Sequence, residues 1–256
     1  MKFSIITPTY KRSELLGRVT ESAQKQSYAN WEMIIINDSP EDHSYDDFAN
    51  SITDLRLRYY SNDTNRGVNY SRNRALEMVS KDSDWVIFLD DDDYLSPNAL
   101  EELTGLITAH PKEVWFVTNR AYADGTLVTK YPRPETHYSY IWDVLILKQC
   151  KGDATHCFKT STIKNVRYSK YIKQAEEWLF YYLLALREKI FYSNLNTTIT
   201  DGYDVTSGLN FRKRTRREQL KTLIDFIYEG RDHRLLYHPT FLLYLFMRFI
   251  RIFVKP

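Results

Sequence analysis

Short apolar, β-branched runs recur through the first ninety residues, and most stop abruptly at residues that cannot extend a strand. Residues 3–7 end at Pro8, residues 31–36 at Asn37-Asp38-Ser39-Pro40, and residues 85–89 at Asp90-Asp91-Asp92-Asp93. Residues 57–60 form another such run. Between them lie stretches of helical periodicity at about 13–26, 45–52 and 71–79, the last with Ala75, Leu76 and Val79 at core spacing. Strand and helix thus alternate at least three times. This order predicts an α/β fold with a mostly parallel central sheet and helices on both faces.

Further along, residues 114–119 read as a fifth strand, and Asp124-Gly125 marks a tight turn before 126–130. Ser96 is placed to cap the helix after the 85–89 strand, with Pro97 at its first position. Residues 131–175 read as irregular, broken by Pro132 and Pro134, and 175–187 as a strong helix. Residues 194–210 are polar and turn-rich, and helices are expected at about 216–228 and 239–254.

The 256 residues are 43% hydrophobic and 27% charged, which excludes a disordered chain. Two cysteines, Cys150 and Cys157, are too few for a disulfide scaffold. The N-terminal apolar stretch is too short for a signal peptide, so a reducing, cytoplasmic setting is expected. Charge is uneven. Residues 211–256 hold 11 Lys/Arg against 4 Asp/Glu, while the rest holds 24 against 29. An acidic body of about 1–210 and a basic, helical extension of 211–256 therefore suggest two separate tasks.

Pro8-Thr9-Tyr10, Asp38 and the four aspartates all follow strand ends. In an open parallel sheet the carboxyl ends of the strands form one crevice, where ligands bind. Four adjacent carboxylates repel, by roughly 4 kcal/mol for a pair ~4 Å apart at an effective dielectric of about 20. A divalent cation would relieve that repulsion. Mg²⁺ or Mn²⁺ takes hard oxygen ligands and keeps positions for water and phosphate, so a metal–diphosphate site is expected. The plain alternative is a solvated acidic turn. Arg66, Arg72 and Arg74 lie beside Gly67 and a helix start, a setting that suits an anion, although alone they would read as solvated arginines. Neither G-x-G-x-x-G nor G-x-x-x-x-G-K-[ST] occurs.

Four segments in order carry a resemblance: Ile-Ile-Thr-Pro-Thr-Tyr-Lys-Arg (5–12), Ile-Ile-Asn-Asp-Ser (35–39), Asn-Arg-Gly-Val-Asn-Tyr-Ser-Arg-Asn-Arg-Ala-Leu (65–76) and Phe-Leu-Asp-Asp-Asp-Asp (88–93). Together they resemble the family 2 glycosyltransferases of GT-A fold. The likeness is strong over about the first 110 residues and weaker to about 210. It implies transfer of a sugar from a nucleotide-sugar, a UDP-sugar in the usual case, to an acceptor hydroxyl with inversion. It also implies a nucleotide-binding half of about 1–110 and an acceptor half of about 111–210. Pro8, Thr9 and Tyr10 would line the nucleoside pocket, Asp38 would accept a hydrogen bond from the base, and Gly67 and Arg72 would lie near the base or diphosphate. Asp90-Asp91-Asp92 matches the D-x-D motif. Asp90 and Asp91 would approach ribose and donor sugar, Asp92 with Asp90 would hold the metal, and Asp93 would support it.

An inverting transfer needs one general base and charge stabilisation on the departing diphosphate. The family places its base in an acidic pair opening a helix, which Glu176-Glu177 matches. Successive helical residues point about 100° apart, so both cannot serve one hydroxyl. By position the base is Glu177, with Glu176 the other candidate, although Asp is commoner there. The alternative is that both are first-turn carboxylates favoured by the helix dipole. His156 could face the acceptor, but a lone histidine is more often structural. His137 reads as a loop residue. Cys157 has no role, since direct displacement needs no thiol. The 201–207 segment sits where the family often closes on the diphosphate, but lacks the frequent His or Arg.

In the extension, the basic run at 212–217 comes without a recognisable nucleic-acid fold, so no nucleic-acid partner is expected. Tyr244, Arg248, Arg251 and Lys255 recur at helical spacing within an otherwise apolar 241–254. The uninterrupted apolar run 241–247 is too short to span a bilayer. A helix lying in an anionic membrane surface through 237–256 fits, placing the protein peripherally on the inner face of the cytoplasmic membrane. A core-packed terminal helix or an oligomer contact is the alternative. The expected acceptor is a glycan or lipid-linked glycan of a surface polysaccharide or lipooligosaccharide. Two rivals stay open. A sugar-nucleotide pyrophosphorylase would normally carry a Gly-rich N-terminal loop where Pro8-Thr9-Tyr10 stand, and a non-catalytic nucleotide- or glycan-binding scaffold would need no base.

Overall fold

The computed structural model of the chain describes residues 1–173, 176–201 and 214–254. Strands β1 (Phe3–Thr9), β2 (Trp31–Asn37), β3 (Leu57–Ser61) and β4 (Trp85–Phe88) alternate with helices α1 (Ser13–Gln24), α2 (Ser44–Ser51) and α3 (Val68–Met78). All four strands are parallel. The chain steps outward from β1 to β2 to β3, then returns to lay β4 on the other side of β1. This reversal opens a crevice at the carboxyl ends of β1 and β4, the position where such sheets bind ligands.

After β4 come β5 (Asp93–Leu95), α4 (Ala99–Ala109), β6 (Trp115–Tyr122), β7 (Thr136–Tyr138), a π-helix (Tyr140–Ile146), β8 (Ala154–Lys159), α5 (Thr160–Ile163), α6 (Trp178–Ala185) and β9 (Ile190–Thr200). Then follow α7 (Arg216–Asp232), a 3-10 turn (Leu235–Tyr237) and α8 (Pro239–Val254). Among the described residues the strands form one sheet, ordered β3-β2-β1-β4-β8-β6-β9-β5, with β7 also on β9. The half up to β4 is wholly parallel. Beyond it the sheet is mixed, because β8 runs antiparallel to both β4 and β6, while β6 and β9 are parallel.

β1 and β2 are buried along their whole length, because both faces of the sheet are covered. Alternate residues divide between two cores. Phe3, Ile5, Met33 and Ile87 pack with Leu16 of α1 and Leu103 of α4, whereas Ile6, Ile34 and Val86 pack with Ala75 of α3 and Phe180 of α6. Phe226, Leu235, Phe241 and Leu245 of the C-terminal helices join the second core. Each fully buried apolar side chain of this size contributes about 1.5–3 kcal/mol, so the extension is firmly seated on the sheet domain.

The structure differs from the sequence expectation in four places. α4 starts at Ala99, because Ser96 is pinned instead, its N–H donating to Thr197 O at 3.0 Å and its carbonyl accepting from Ala99 N at 3.1 Å. α6 spans Trp178–Ala185, since Glu176 has φ 63° and cannot be helical. The 131–175 stretch contains β7, the π-helix, β8 and α5. Residues 194–200 belong to β9, where Thr197 and Thr198 meet Thr118 and Thr155 hydroxyl to hydroxyl at 2.5 and 2.7 Å. These polar residues lie inside a sheet because they satisfy one another.

The terminal helix is also turned otherwise than the polar stripe implied. Its buried face carries Phe241, Leu245 and Ile252, and Tyr244 and Arg248 lie on that same side. The exposed side is mostly apolar, with Leu242, Leu243, Phe246 (61% exposed), Phe249, Ile250 and Phe253 beside the exposed Arg251. Lys255 lies outside the described residues. Among the described residues no helix is long and apolar enough to cross a membrane. Cys150 and Cys157 are both free and buried.

Candidate active site

The exits of β1 and β2 are stitched together. Asp38 N donates to Thr9 O at 2.9 Å, and the Tyr45 hydroxyl of α2 meets Thr9 Oγ1 at 2.9 Å and accepts from Arg12 N at 2.9 Å. Pro8 and Thr9 are buried, whereas the Tyr10 ring projects at 43% exposure. Asp38 is buried and holds the loop that precedes α3. Its Oδ1 accepts from Asn62 Nδ2 at 2.7 Å and Arg66 N at 2.8 Å, and its Oδ2 from Gly67 N at 2.7 Å. Among the described residues Oδ1 has two donors and Oδ2 one, which leaves Oδ2 an acceptor position. Gly67 takes φ 89°, and a Cβ there would meet the Lys173 carbonyl oxygen at 2.4 Å. The loop is thus packed flush against the segment that runs toward Glu176.

The four aspartates leave β4 in a turn closed by Asp93 N to Asp90 O at 3.1 Å. Each finds an arginine. Arg12 Nη1 reaches Asp91 Oδ1 at 3.2 Å and Asp92 Oδ2 at 3.0 Å, Arg72 Nη2 reaches Asp90 Oδ1 at 2.6 Å, and Arg120 Nη2 reaches Asp93 Oδ2 at 2.9 Å. Arg18 adds a bond from Nη2 to Asp92 O at 3.0 Å and pairs with Asp201. Mutual repulsion is thus met partly from within the protein. Burial still dominates at two positions. It pushes the Asp91 carboxyl up to about 6 despite Arg12, and Asp93 up to about 7 despite Arg120. At Asp90 burial is outweighed by the charges of Arg72 and Arg120, which hold it below the usual carboxylate range.

Carboxylate oxygens of Asp90, Asp92 and Asp93 lie within 4.8 Å of one another. Asp93 Oδ2 is buried beside Arg120, which pairs with it at 2.9 Å without the alignment of a hydrogen bond. Three hard oxygen donors converging beside a crevice fit Mg²⁺ or Mn²⁺. Arg12 would have to release Asp92 for that residue to serve.

Arg72 ties the site together. It is 3% exposed, with its ring neighbour Tyr168 at 5.3 Å. One nitrogen holds Asp90 and the other donates to Glu177 Oε1, 105 residues along the chain. Burial would weaken its positive charge, but Glu177 and Asp90 outweigh that and raise its pKa well above the usual arginine value. Glu176 points elsewhere. It receives Arg248 as a fork at 2.6 and 2.7 Å, and Arg214 at 2.9 Å. The two adjacent glutamates therefore face different parts of the molecule.

Comparison with known proteins assigns the architecture. The model of glycosyl transferase family 2 matches residues 4–171. The chain belongs to this family. A GalNAc(5)-diNAcBac-PP-undecaprenol beta-1,3-glucosyltransferase of Campylobacter jejuni is 28% identical over 75% of the chain and 62% of its own length. A putative colanic acid biosynthesis glycosyl transferase of Escherichia coli is 36% identical over 38% of the chain and 34% of its own length. The chain thus spans less than two thirds of each of these relatives, and about a third of the second. Among solved structures, Staphylococcus aureus TarS 1-349 with UDP-GlcNAc superposes with a TM-score of 0.68 at 20% identity, covering 89% of this chain and 66% of that one. A Pyrobaculum calidifontis mannosyltransferase with GDP-Man and Mn²⁺ gives 0.60 at 13% identity, covering 99% and 70%. The fold is the GT-A fold.

Against this family frame, the sequence-chosen residues Asp38, Gly67, Arg72, Asp90 to Asp92 and Glu177 are linked through one network of contacts, while Glu176 is directed toward the C-terminal helices. Arg12 and Arg120 were not anticipated. Arg12 closes the 5–12 motif, and its charge three residues past the end of β1 was the available signal. Arg120 falls one residue beyond the strand assigned from sequence. His156 is a half-buried residue of β8 packed among aromatic rings. It accepts from Trp115 Nε1 at 3.0 Å and stacks on Tyr181 at 4.3 Å, and burial lowers its pKa to about 3. His137 pairs with Glu113 at 3.0 Å on the rim of β7. Apart from Asp201, the 201–207 segment lies outside the described residues, as do Arg212 and Lys213 of the basic run.

Proposed function

We propose that the chain is an inverting, metal-dependent glycosyltransferase. It would move a sugar from a nucleotide-sugar, a UDP-sugar first among them, to a hydroxyl of a glycan or lipid-linked glycan. The observation that carries this reading is the Arg72 guanidinium, which brings Asp90 of the acidic turn and Glu177 into one site. The lipid-linked substrate in the Campylobacter relative's name and the UDP-GlcNAc bound to TarS support the acceptor class and the donor.

Tyr10, exposed above the β1 exit, offers a ring for stacking a nucleoside base, and the remaining acceptor position of Asp38 suits its imide N–H. Asp92 and Asp90, with Asp93 beside them, would hold Mg²⁺ or Mn²⁺, which supplies positive charge to the leaving diphosphate when bound. Glu177 accepts the proton of the acceptor hydroxyl as that oxygen attacks the anomeric carbon from the face opposite the diphosphate. The bond from anomeric carbon to diphosphate oxygen breaks, and the nucleoside diphosphate leaves with the electron pair. Arg72 fixes Glu177 relative to Asp90, so base and donor keep one register. Glu176, forked by Arg248 and paired with Arg214, is committed to the C-terminal extension, which favours Glu177 over its neighbour.

The exposed apolar side of α8 supports peripheral seating on a membrane, with Phe246, Phe249 and Phe253 entering the interface and the exposed Arg251 near headgroups. The enzymatic reading is tested with a panel of UDP-, GDP- and dTDP-sugars, scored by thermal shift with and without Mn²⁺ and by nucleoside diphosphate released. A UDP-sugar is expected to stabilise the protein only weakly without Mn²⁺ and strongly with it. Absence of any nucleotide response, or formation of NTP from pyrophosphate, would exclude transfer.

A further inference from the structure

Both chain neighbours of Glu177 are held by the C-terminal helices. On its amino side, Glu176 is gripped by the fork of Arg248 from α8 and by Arg214 from the start of the extension. Glu176 sits at φ 63°, which a non-glycine residue keeps only where its surroundings enforce it. On its carboxyl side, Trp178 is seated among Tyr244 at 4.5 Å, Phe226 at 4.7 Å and Phe241 at 6.1 Å. Further back, the buried Glu229 of α7 accepts from Ser169 Oγ at 2.6 Å and Lys170 N at 2.9 Å. Residues 168–173 are neither helix nor strand, so these contacts do the work that regular structure would otherwise do.

We propose that Arg248 is a positioning residue for the transfer reaction. Its two parallel bonds lock Glu176 in the left-handed kink from which Glu177 reaches Arg72 and the acceptor. Arg248 touches neither donor nor acceptor, and its effect passes through Glu176. This role rests on Glu177 being the base. It also makes α8 a two-sided element: one side completes the catalytic geometry, while the other presents Leu242, Phe246 and Phe253 outward.

The test reads UDP release from UDP-glucose and UDP-GlcNAc in Mn²⁺. Arg248→Met keeps the apolar stem and removes the fork. It is expected to lower kcat by about 10–100-fold, the scale of a small misplacement of a reacting group, with the donor KM within about twofold. Arg248→Lys should recover only part of the loss, because an ammonium cannot fork a carboxylate. Glu176→Gln should show the same split. The Arg248→Met/Glu176→Gln pair should fall no further than the worse single variant, since both remove the Arg248–Glu176 fork. Unchanged kcat in folded Arg248→Met and Glu176→Gln would overturn the role, as would additive losses in the pair. Parallel losses in kcat and KM with a lowered Tm would also overturn it, by reducing Arg248 to general support. If Arg248→Met does not fold, Arg248→Lys and Glu176→Gln carry the same comparison. Glu177→Gln separates the two levels. If it is inactive while the Arg248 variants keep full kcat, only the positioning role fails. If Glu177→Gln is fully active, the base assignment fails with it.

Discussion

At the scale of single residues, the site is a set of buried and half-buried charges whose partners are already present. Removing one partner strands the other, so effects should be large and specific. Glu177→Gln should abolish UDP release while leaving UDP binding, read by calorimetry, within about threefold, since a base acts only in the transition state. Gly67→Ala puts a Cβ against the Lys173 carbonyl at a positive φ. A drop of about 1–3 kcal/mol in urea-unfolding stability is expected, and an unchanged midpoint would show that the loop yields freely. His156 gives a pH signature. Its folded pKa of about 3 lies below the ordinary value of 6.5, so the unfolded chain binds the extra proton between those values. Stability from this group is complete above about pH 6.5 and is lost as pH falls toward 3, by at most ~1.4 kcal/mol per unit. Replacing it by Gln should flatten that slope relative to wild type in urea titrations from pH 7 to 4.5. Much of this was legible in sequence: the aspartates and Asp38 follow strand ends, Arg72 lies near a helix start, and the resemblance to family 2 singles out Glu177. Arg120 and the bond from Trp115 to His156 were not legible, because their partners lie across the sheet rather than along the chain.

At the scale of elements, the parallel strands and their helices could be read because each is locally consistent, apolar runs ending in residues that break them. β8 and the second half of β9 could not, because Thr155, Thr197 and Thr198 satisfy their hydroxyls across strands, which a one-dimensional pattern cannot register. The terminal helix could be read as a helix, but which of its faces is buried could not. Its one buried arginine looked like part of a polar stripe, since nothing local reveals that Glu176 awaits it 72 residues earlier. The outward side gives a further prediction. Phe246→Glu with Phe253→Glu should reduce co-sedimentation with anionic liposomes at least tenfold and leave Tm within about 2 °C, because both rings are already in solvent. Undiminished liposome binding would remove the membrane role of this helix, and a shift from dimer to monomer in light scattering would reassign the patch to self-association.

At the scale of the whole molecule, two halves of different construction meet over the crevice. The parallel half supplies Asp38, Arg72 and the acidic turn, and the mixed half supplies Arg120 and the route to Glu177. The C-terminal helices share the second core. Truncation after residue 236 should therefore unseat the domain, lowering Tm by more than 5 °C by scanning calorimetry rather than only weakening membrane binding. Burial also touches the chain's two thiols. Cys150 is pushed up to about 12, and Cys157 higher still, by exclusion of water. Neither should react with a maleimide at neutral pH while the protein is folded. A cysteine introduced on the outer surface of α8 would then be the sole labelling point, and an environment-sensitive dye placed there would register lipid, partner or solvent without any change to the native sequence elsewhere.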